Sequence, residues 1–192
     1  HGGTGADYIY GDTNSTVLWG GNDTLYGEAG ADWIEGGKGN DVISGGADND
    51  VLLGQEGSDV ITGDGGDDAI AGGDGNDFIS GGDGLDTLYG EGGADTFIFQ
   101  ATSAFNDVDV INDFSTGSGD ALDIADILDG YFNPGTDVIT DFVRITDNGT
   151  NSTLEIDRNG GGNSFVAVAS ILGVTGLTNE AALVTNGNLI VV

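Results

Sequence analysis

GGKGNDVIS at residues 36–44, GGDGNDFIS at 72–80 and GGDGLDTLY at 81–89 are three copies of one nine-residue unit. Units of this length start at Gly27, Gly36, Gly45, Gly54, Gly63, Gly72, Gly81 and Gly90, so residues 27–98 hold eight of them in unbroken phase. A period kept this strictly is the mark of a solenoid, in which each unit is stable only when stacked on its neighbours. Upstream the phase decays. GGTGADYIY (2–10) fits the frame, GDTNSTVLW (11–19) has Thr16 where Asp is expected, and GGNDTLY (20–26) is two residues short.

Each unit ends in x-U-x, where U is one of Ile34, Ile43, Leu52, Ile61, Ile70, Ile79, Leu88 and Phe97. A three-residue strand turns only its middle side chain to one face. The six residues before it must then reverse the chain, and glycine permits the positive φ of such turns. Two units make one 18-residue coil of a parallel roll, so residues 18 apart stack, about 4.8 Å from coil to coil. The sixth-position acids then form two columns, Asp32, Asp50, Asp68 and Asp86 along one edge and Asp41, Asp59, Asp77 and Asp95 along the other. Asp7 and Asp23 hold the same place in the weaker units.

Carboxylates stacked so closely cannot all stay ionised unless a cation sits between them. Carboxylates and turn carbonyls are hard oxygen donors, which select calcium over zinc or copper. The candidate metal ligands are the ten aspartates, with main-chain oxygens from the opening glycines Gly36, Gly45, Gly54, Gly63, Gly72, Gly81 and Gly90. One ion between each 18-spaced pair of the regular columns gives three per edge, so about six or more in all. With a dissociation constant near 10⁻⁴ M and tenfold more free calcium, each ion contributes about 1.4 kcal/mol, or about 8 for six. Residues 27–98 are therefore expected to be disordered without calcium and folded with it. Asp48, in the fourth position of GGADNDVLL, is read as a residue that tolerates the left-handed region rather than as a ligand.

The composition narrows the partners. There are 33 acidic residues against 3 Lys and Arg, for a net charge of −30, so neither nucleic acid nor an anionic lipid surface finds the basic cluster it requires. No cysteine is present, which removes disulfides and thiolate ligands as the means of holding the fold. His1 is the only histidine, so no histidine-dependent acid–base pair can be built, and every obvious acidic pair falls in a repeat turn. No enzyme is expected within this chain. Trp19 and Trp33 occupy x positions, where roll surface or a domain contact is the plainer reading and sugar stacking the sharper one.

The repeat matches the G-G-x-G-x-D-x-U-x unit of the RTX family over about half the chain. That resemblance implies an all-β fold: a parallel β-roll, the RTX calcium solenoid, over residues 1–98. It is followed by a β-rich C-terminal capping domain with short helices over 99–192. Glycine thins after residue 98, with 27 of 38 before it, while seven of eight Phe lie at Phe97 or later. Strands are expected over 96–100, 108–114, 142–146, 153–157, 165–172 and 189–192, with a hairpin at Asn148-Gly149. Helices are expected over 124–129 and 179–184, capped by Asp123 and Thr178. The Phe-rich half should cover the open end of the roll, meeting it at Phe97 and Phe99.

VINDFSTGSGDALDIADIL (110–128) resembles the segment that follows the repeats in many type I-secreted proteins. LGVTGLTNEAALVTNGNLIVV, which closes the chain, looks most like the C-terminal target domain of giant type I-secreted adhesins. The resemblance implies an uncleaved secretion signal within about the last fifty residues, read by an inner-membrane ABC transporter. It also implies a secreted or cell-surface protein of a Gram-negative bacterium, an adhesin of the biofilm kind. With His1 first and no Met, the chain is expected to be the monomeric end of something larger. A carbohydrate-binding module and the tail of a secreted protease or lipase are the rival readings. Asp113, Asp120 and Asp123 are either a further calcium site by resemblance or surface caps, and the glycines at 160–162 read as a plain turn.

Overall fold

The computed structural model describes residues 1–11, 20–102, 107–161 and 164–191; the expectations placed on Thr16, Trp19, Gly162 and Val192 fall outside them. From β3 onward the strands of the repeat array start every nine residues. They are β1 (Gly3–Thr4), β2 (Tyr8–Tyr10), β3 (Thr24–Ala29), β4 (Trp33–Lys38), β5 (Val42–Ala47) and β6 (Val51–Glu56). β7 (Val60–Gly65), β8 (Ala69–Asp74), β9 (Phe78–Asp83), β10 (Thr87–Gly92) and β11 (Thr96–Ile98) complete the set. Odd strands form one parallel sheet and even strands the other, so the chain alternates between two facing sheets. Val42 pairs with Val60 and Val51 with Ala69, which fixes the coil at 18 residues.

The full strands run six residues, twice the length read from the x-U-x pattern. Pairing continues past the strand's last x into the turn: Gly46 lies opposite Asp64 and Ala47 opposite Gly65. Stacked turns of identical shape bring their peptide groups into parallel register as well as their strands. The U side chains form a single file between the sheets. Ile34, Ile43, Leu52, Ile61, Ile70, Ile79, Leu88 and Phe97 are each at most 1% exposed.

Hydrogen bonding crosses residue 98 without a break. β12 (Asp109–Ile111) pairs with β10, and β13 (Ala121–Asp123) pairs with β11. β14 (Val143–Asp147), β15 (Ser152–Ile156) and β16 (Val166–Ile171) then add an antiparallel meander to the even sheet through β16 on β12. β17 (Leu189–Ile190) closes the odd sheet on β13. The file of U residues runs on into Ile111, Leu122, Ile171 and Leu189, so one apolar core serves the whole chain. Phe97 and Phe99 are buried at this passage, with the Phe97 and Phe114 rings 6.3 Å apart.

The second half differs from expectation in detail. β13 was not foreseen, because Ala121 and Leu122 sit beside acids with no glycine frame. The hairpin spans 148–151, with Asp147 opposite Ser152 and Gly149 at φ 87°. α1 (Ala125–Leu128) is one turn long and has no side-chain cap at Ile124, although the Asp123 carboxylate accepts the Ala125 N–H at 3.0 Å. α2 (Glu180–Asn186) is capped by Asn179, which accepts the Ala182 N–H, and not by Thr178. It ends at Gly187 in the left-handed region, where glycine has no Cβ to strain. Among the described residues no helix is long and apolar enough to cross a membrane.

Candidate metal centre

The turn that opens each unit uses its positions in different ways. The fourth residue is left-handed throughout, from Gly39 at φ 120° to Gly75 at φ 147°, and Asp48 follows at φ 79° as expected. The second residue is left-handed as well, and four units place a non-glycine there: Glu28, Gln55, Asp64 and Glu91, with φ between 64° and 79°. The first glycine needs no special φ. It is required because a Cβ on Gly27 would lie 2.4 Å from Asp32 Oδ2 and 2.3 Å from the carbonyl oxygen of Gly45. On Gly54 it would meet Asp59 Oδ2 at 2.3 Å and the Gly72 carbonyl at 2.4 Å, and on Gly63 Asp68 Oδ2 at 2.2 Å and the Gly81 carbonyl at 2.4 Å. A carboxylate oxygen and the carbonyl of the next coil thus converge on a space that only glycine leaves clear.

The aspartates stand in the two expected columns and are linked by hydrogen bonds along them. Each Asp N–H donates to the Oδ1 of the Asp one coil on: Asp32 to Asp50 at 2.7 Å, Asp50 to Asp68 at 2.8 Å and Asp68 to Asp86 at 2.9 Å. On the other edge Asp41 donates to Asp59 at 2.7 Å, Asp59 to Asp77 at 2.8 Å and Asp77 to Asp95 at 3.0 Å. Asp7 and Asp23 join the bottoms of the columns through Asp32 and Asp41. The eight aspartates of the regular units are all at most 3% exposed.

The second oxygen is the anomaly. Oδ2 of Asp7, Asp32, Asp50, Asp59, Asp68, Asp77, Asp86 and Asp95 is buried and has no hydrogen-bond partner. A buried acceptor left unsatisfied costs about 1–3 kcal/mol, and more when charged. Burial pushes Asp50 and Asp95 up to about 6 and Asp68 and Asp77 up to about 7, with the neighbouring carboxylates of each column adding to the rise. Asp59 and Asp86 are raised by burial too. Orphaned oxygens beside main-chain carbonyls, in a space kept free of Cβ atoms, fit a hard divalent cation such as calcium. Among the described residues no three acidic or histidine side chains converge on one point. A cation here would therefore draw on carbonyls for much of its shell.

Two aspartates that the nonapeptide frame does not contain extend the columns. Asp86 N–H donates to Asp109 Oδ1 and Asp95 N–H to Asp120 Oδ1, both at 3.2 Å. Asp109 had no place in the repeat pattern. Its signal is the triplet Asp109-Val110-Ile111, which has the D-x-U form of the array, as does Asp120-Ala121-Leu122. Asp113 and Asp123 act as caps: Asp113 accepts the N–H groups of Gly90 and Glu91, and Asp123 that of Ala125. At 157–161 the Asp157 carboxylate accepts the N–H of Asn159, as in an ordinary turn. Trp33 lies on the outer face of the even sheet, stacked with Tyr8 at 6.1 Å. Of the three basic side chains, Lys38 pairs with Glu56 and Arg144 with Glu155, well apart on the surface.

Comparison with known proteins agrees with this architecture. The family model described as RTX calcium-binding nonapeptide repeat (4 copies) matches residues 1–16, 20–52, 44–79 and 71–99. Among solved structures the chain is similar to the AlgE6R2 subunit of the Azotobacter vinelandii mannuronan C5-epimerase. The two are 28% identical over 77% of this chain and 91% of that one, with a TM-score of 0.50. The AlgE6R3 subunit of the same enzyme is 23% identical over 92% of this chain and 82% of that one, with a TM-score of 0.30. No curated protein matches the chain. With half of its length in the nonapeptide pattern and both sheets of the roll in place, the chain belongs to the RTX calcium-binding repeat family.

Proposed function

We propose that this chain is the calcium-folded RTX module and C-terminal type I secretion signal of a large extracellular adhesin from a Gram-negative bacterium. Residues 1–98 form the calcium-binding part and 99–192 the cap that carries the signal. The ligands are the carboxylates of Asp7, Asp23, Asp32, Asp41, Asp50, Asp59, Asp68, Asp77, Asp86 and Asp95. Carbonyls of Gly36, Gly45, Gly54, Gly63, Gly72, Gly81 and Gly90 complete the sites. The observation that carries this reading is the orphaned Oδ2 of Asp32, Asp50, Asp59 and Asp68, each meeting a carbonyl of the next coil beside the first glycine of its unit. When bound, calcium neutralises stacked charge that otherwise opposes the fold.

In a cytosol poor in calcium, the −30 charge favours an extended chain that an ABC transporter can thread. Outside, millimolar calcium fills the columns and the roll closes, so the folded coils cannot slip back. Catalysis has no place in this chain. The test is export of a reporter fused ahead of residues 1–192 from cells carrying a type I transporter. The reporter should reach the medium, and removing 143–192 should hold it inside. Retention of the complete fusion would refute the secretion role.

One feature favours a carbohydrate-binding role as a second reading. Tyr8 is 72% exposed and stacks on both Trp33 and Tyr10, an open aromatic face on a roll similar to a subunit of a mannuronan epimerase. With 33 acids in the chain, a neutral glycan fits this face better than a polyuronate. Glycan-array binding lost in Trp33→Ala would support it, and an empty array would remove it.

A further inference from the structure

The two aspartate columns end differently. On the Asp95 edge the last carboxylate, Asp120, is fully supplied with donors. Its Oδ1 accepts the Asp95 N–H at 3.2 Å and the Ser118 hydroxyl at 3.0 Å, and its Oδ2 accepts the Ser115 N–H at 2.8 Å. The Asn188 side-chain amide then donates to the Asp120 carbonyl at 2.7 Å and finishes the column with a neutral group. Protein donors close this edge.

On the Asp86 edge no such closure exists among the described residues. Asp109 is 6% exposed, and its hydrogen-bonded N–H donor is that of Asp86, at 3.2 Å. Its carboxyl group is in side-chain contact with that of Asp86, and Asp107 adds a third negative charge nearby. Asp86 is 1% exposed and its Oδ2 has no partner. Asp86 Oδ2 lies 2.1 Å from where a Cβ on Gly81 would stand, as Asp59 Oδ2 lies 2.3 Å from that of Gly54, and for Asp86 the following coil is that of Asp109. The next residue in this register is the buried Ala169, so nothing acidic stands beyond. Two buried carboxylates in contact need a cation or a shared proton between them.

We infer that Asp86 and Asp109 hold a further divalent cation, a terminal calcium site that lies outside the nonapeptide pattern, while the Asp95/Asp120 rung holds none. The inference rests on the columns being calcium sites. It has a structural consequence. Asp109 opens β12, the strand through which β16, β15 and β14 join the roll. The terminal ion ties the antiparallel meander to the last repeat, so the C-terminal half also senses calcium.

Native mass spectrometry of the whole chain at saturating calcium tests this by ion count, with Asp109→Asn and Asp109→Ser as independent variants. Asn retains an acceptor for the Asp86 N–H, so the rung persists without its charge. Both variants should carry one calcium fewer than the parent, Asp120→Asn should carry the full number, and Asp59→Asn should lose at least one. Hydrogen exchange in β14–β16 should need several-fold more calcium for protection in Asp109→Asn. A full count in both Asp109 variants beside a reduced count in Asp59→Asn would overturn the terminal site and leave the columns standing. A lost ion in Asp120→Asn would overturn the asymmetry. A full count in Asp59→Asn would bring down the column reading itself, and this inference with it.

Discussion

Asp50 N–H donates to Oδ1 of Asp68 at 2.8 Å, while Oδ2 of the same Asp68 carboxylate is buried with no partner. In Asp32, Asp50, Asp59, Asp68, Asp77, Asp86 and Asp95 one oxygen thus builds the roll and the other is left for something the chain does not supply. The division separates two effects of mutation that are usually confounded: loss of a rung and loss of a ligand.

Asp59→Asn retains an acceptor for the Asp41 N–H and removes the charge. Asp59 stands between Asp41 and Asp77, so two ion positions lose a carboxylate. With each ion worth about 1.4 kcal/mol at tenfold excess, the stabilisation gained on adding calcium should fall by about 3 kcal/mol. Thermal melts at two free calcium concentrations that both support the fold, compared between variant and parent, measure that difference. An unchanged increment would show that Asp59 is no ligand.

Gly54→Ala and Gly65→Ala separate close approach from glycine content. A Cβ on Gly54 lies 2.3 Å from Asp59 Oδ2, whereas on Gly65 the nearest atom is 3.9 Å away and φ is not positive. The first should cost about 1–3 kcal/mol or more and weaken calcium binding. The second should stay within about 0.5 kcal/mol. Urea titrations in calcium compare the pair.

Ile61→Ala removes a side chain that is 1% exposed from the single-file core and should cost about 2–5 kcal/mol. Its neighbour Val60 is 43% exposed on the outer face, and Val60→Ala should cost less than about 1 kcal/mol. Equal costs would mean that the file of U residues is not the core. Denaturant midpoints in saturating calcium decide it.

Acidity should act oppositely with and without calcium. In the metal-free fold Asp50 and Asp95 rise to about 6 and Asp68 and Asp77 to about 7, from an ordinary 3.8. A group whose folded pKa is raised favours the fold when protonated, so its contribution is complete below about pH 4 and is lost as pH climbs through 6 and 7. In chelator, residues 27–98 should therefore show more β structure by circular dichroism at pH 5 than at pH 8. Calcium needs the ionised carboxylates, so the calcium-induced rise in melting temperature should be larger at pH 8. More β structure at pH 8 than at pH 5 in chelator would contradict the buried, unpartnered state of these oxygens.

Most of the roll was legible because its period is carried by residues with one role each. Ile43 and Ile61 fix the core file, and the 18-residue coil follows from pairing alternate units, as Val42 opposite Val60 shows. The aspartate columns followed from the same period. Asp109 was hidden because it lies 23 residues beyond Asp86 and Asp120 lies 25 beyond Asp95, so insertions break the spacing while the strand register is kept. The six-residue strands were hidden because stacked turns pair their backbones whatever their side chains, which no hydrophobic pattern records. Glu28, Gln55, Asp64 and Glu91 show that the second position demands a left-handed backbone more than it demands glycine. Capping of α2 fell to Asn179 instead of the adjacent Thr178, a one-residue difference that sequence pattern does not resolve.

Amide hydrogen exchange across residues 27–98, read peptide by peptide in excess chelator and again in millimolar calcium at pH 7.5, tests the central claim most directly. Ions between the coils should convert a freely exchanging segment into one whose β3–β11 amides resist exchange for hours. Full protection of those strands in chelator would show that the apolar file alone sustains the roll, and the calcium account would be wrong.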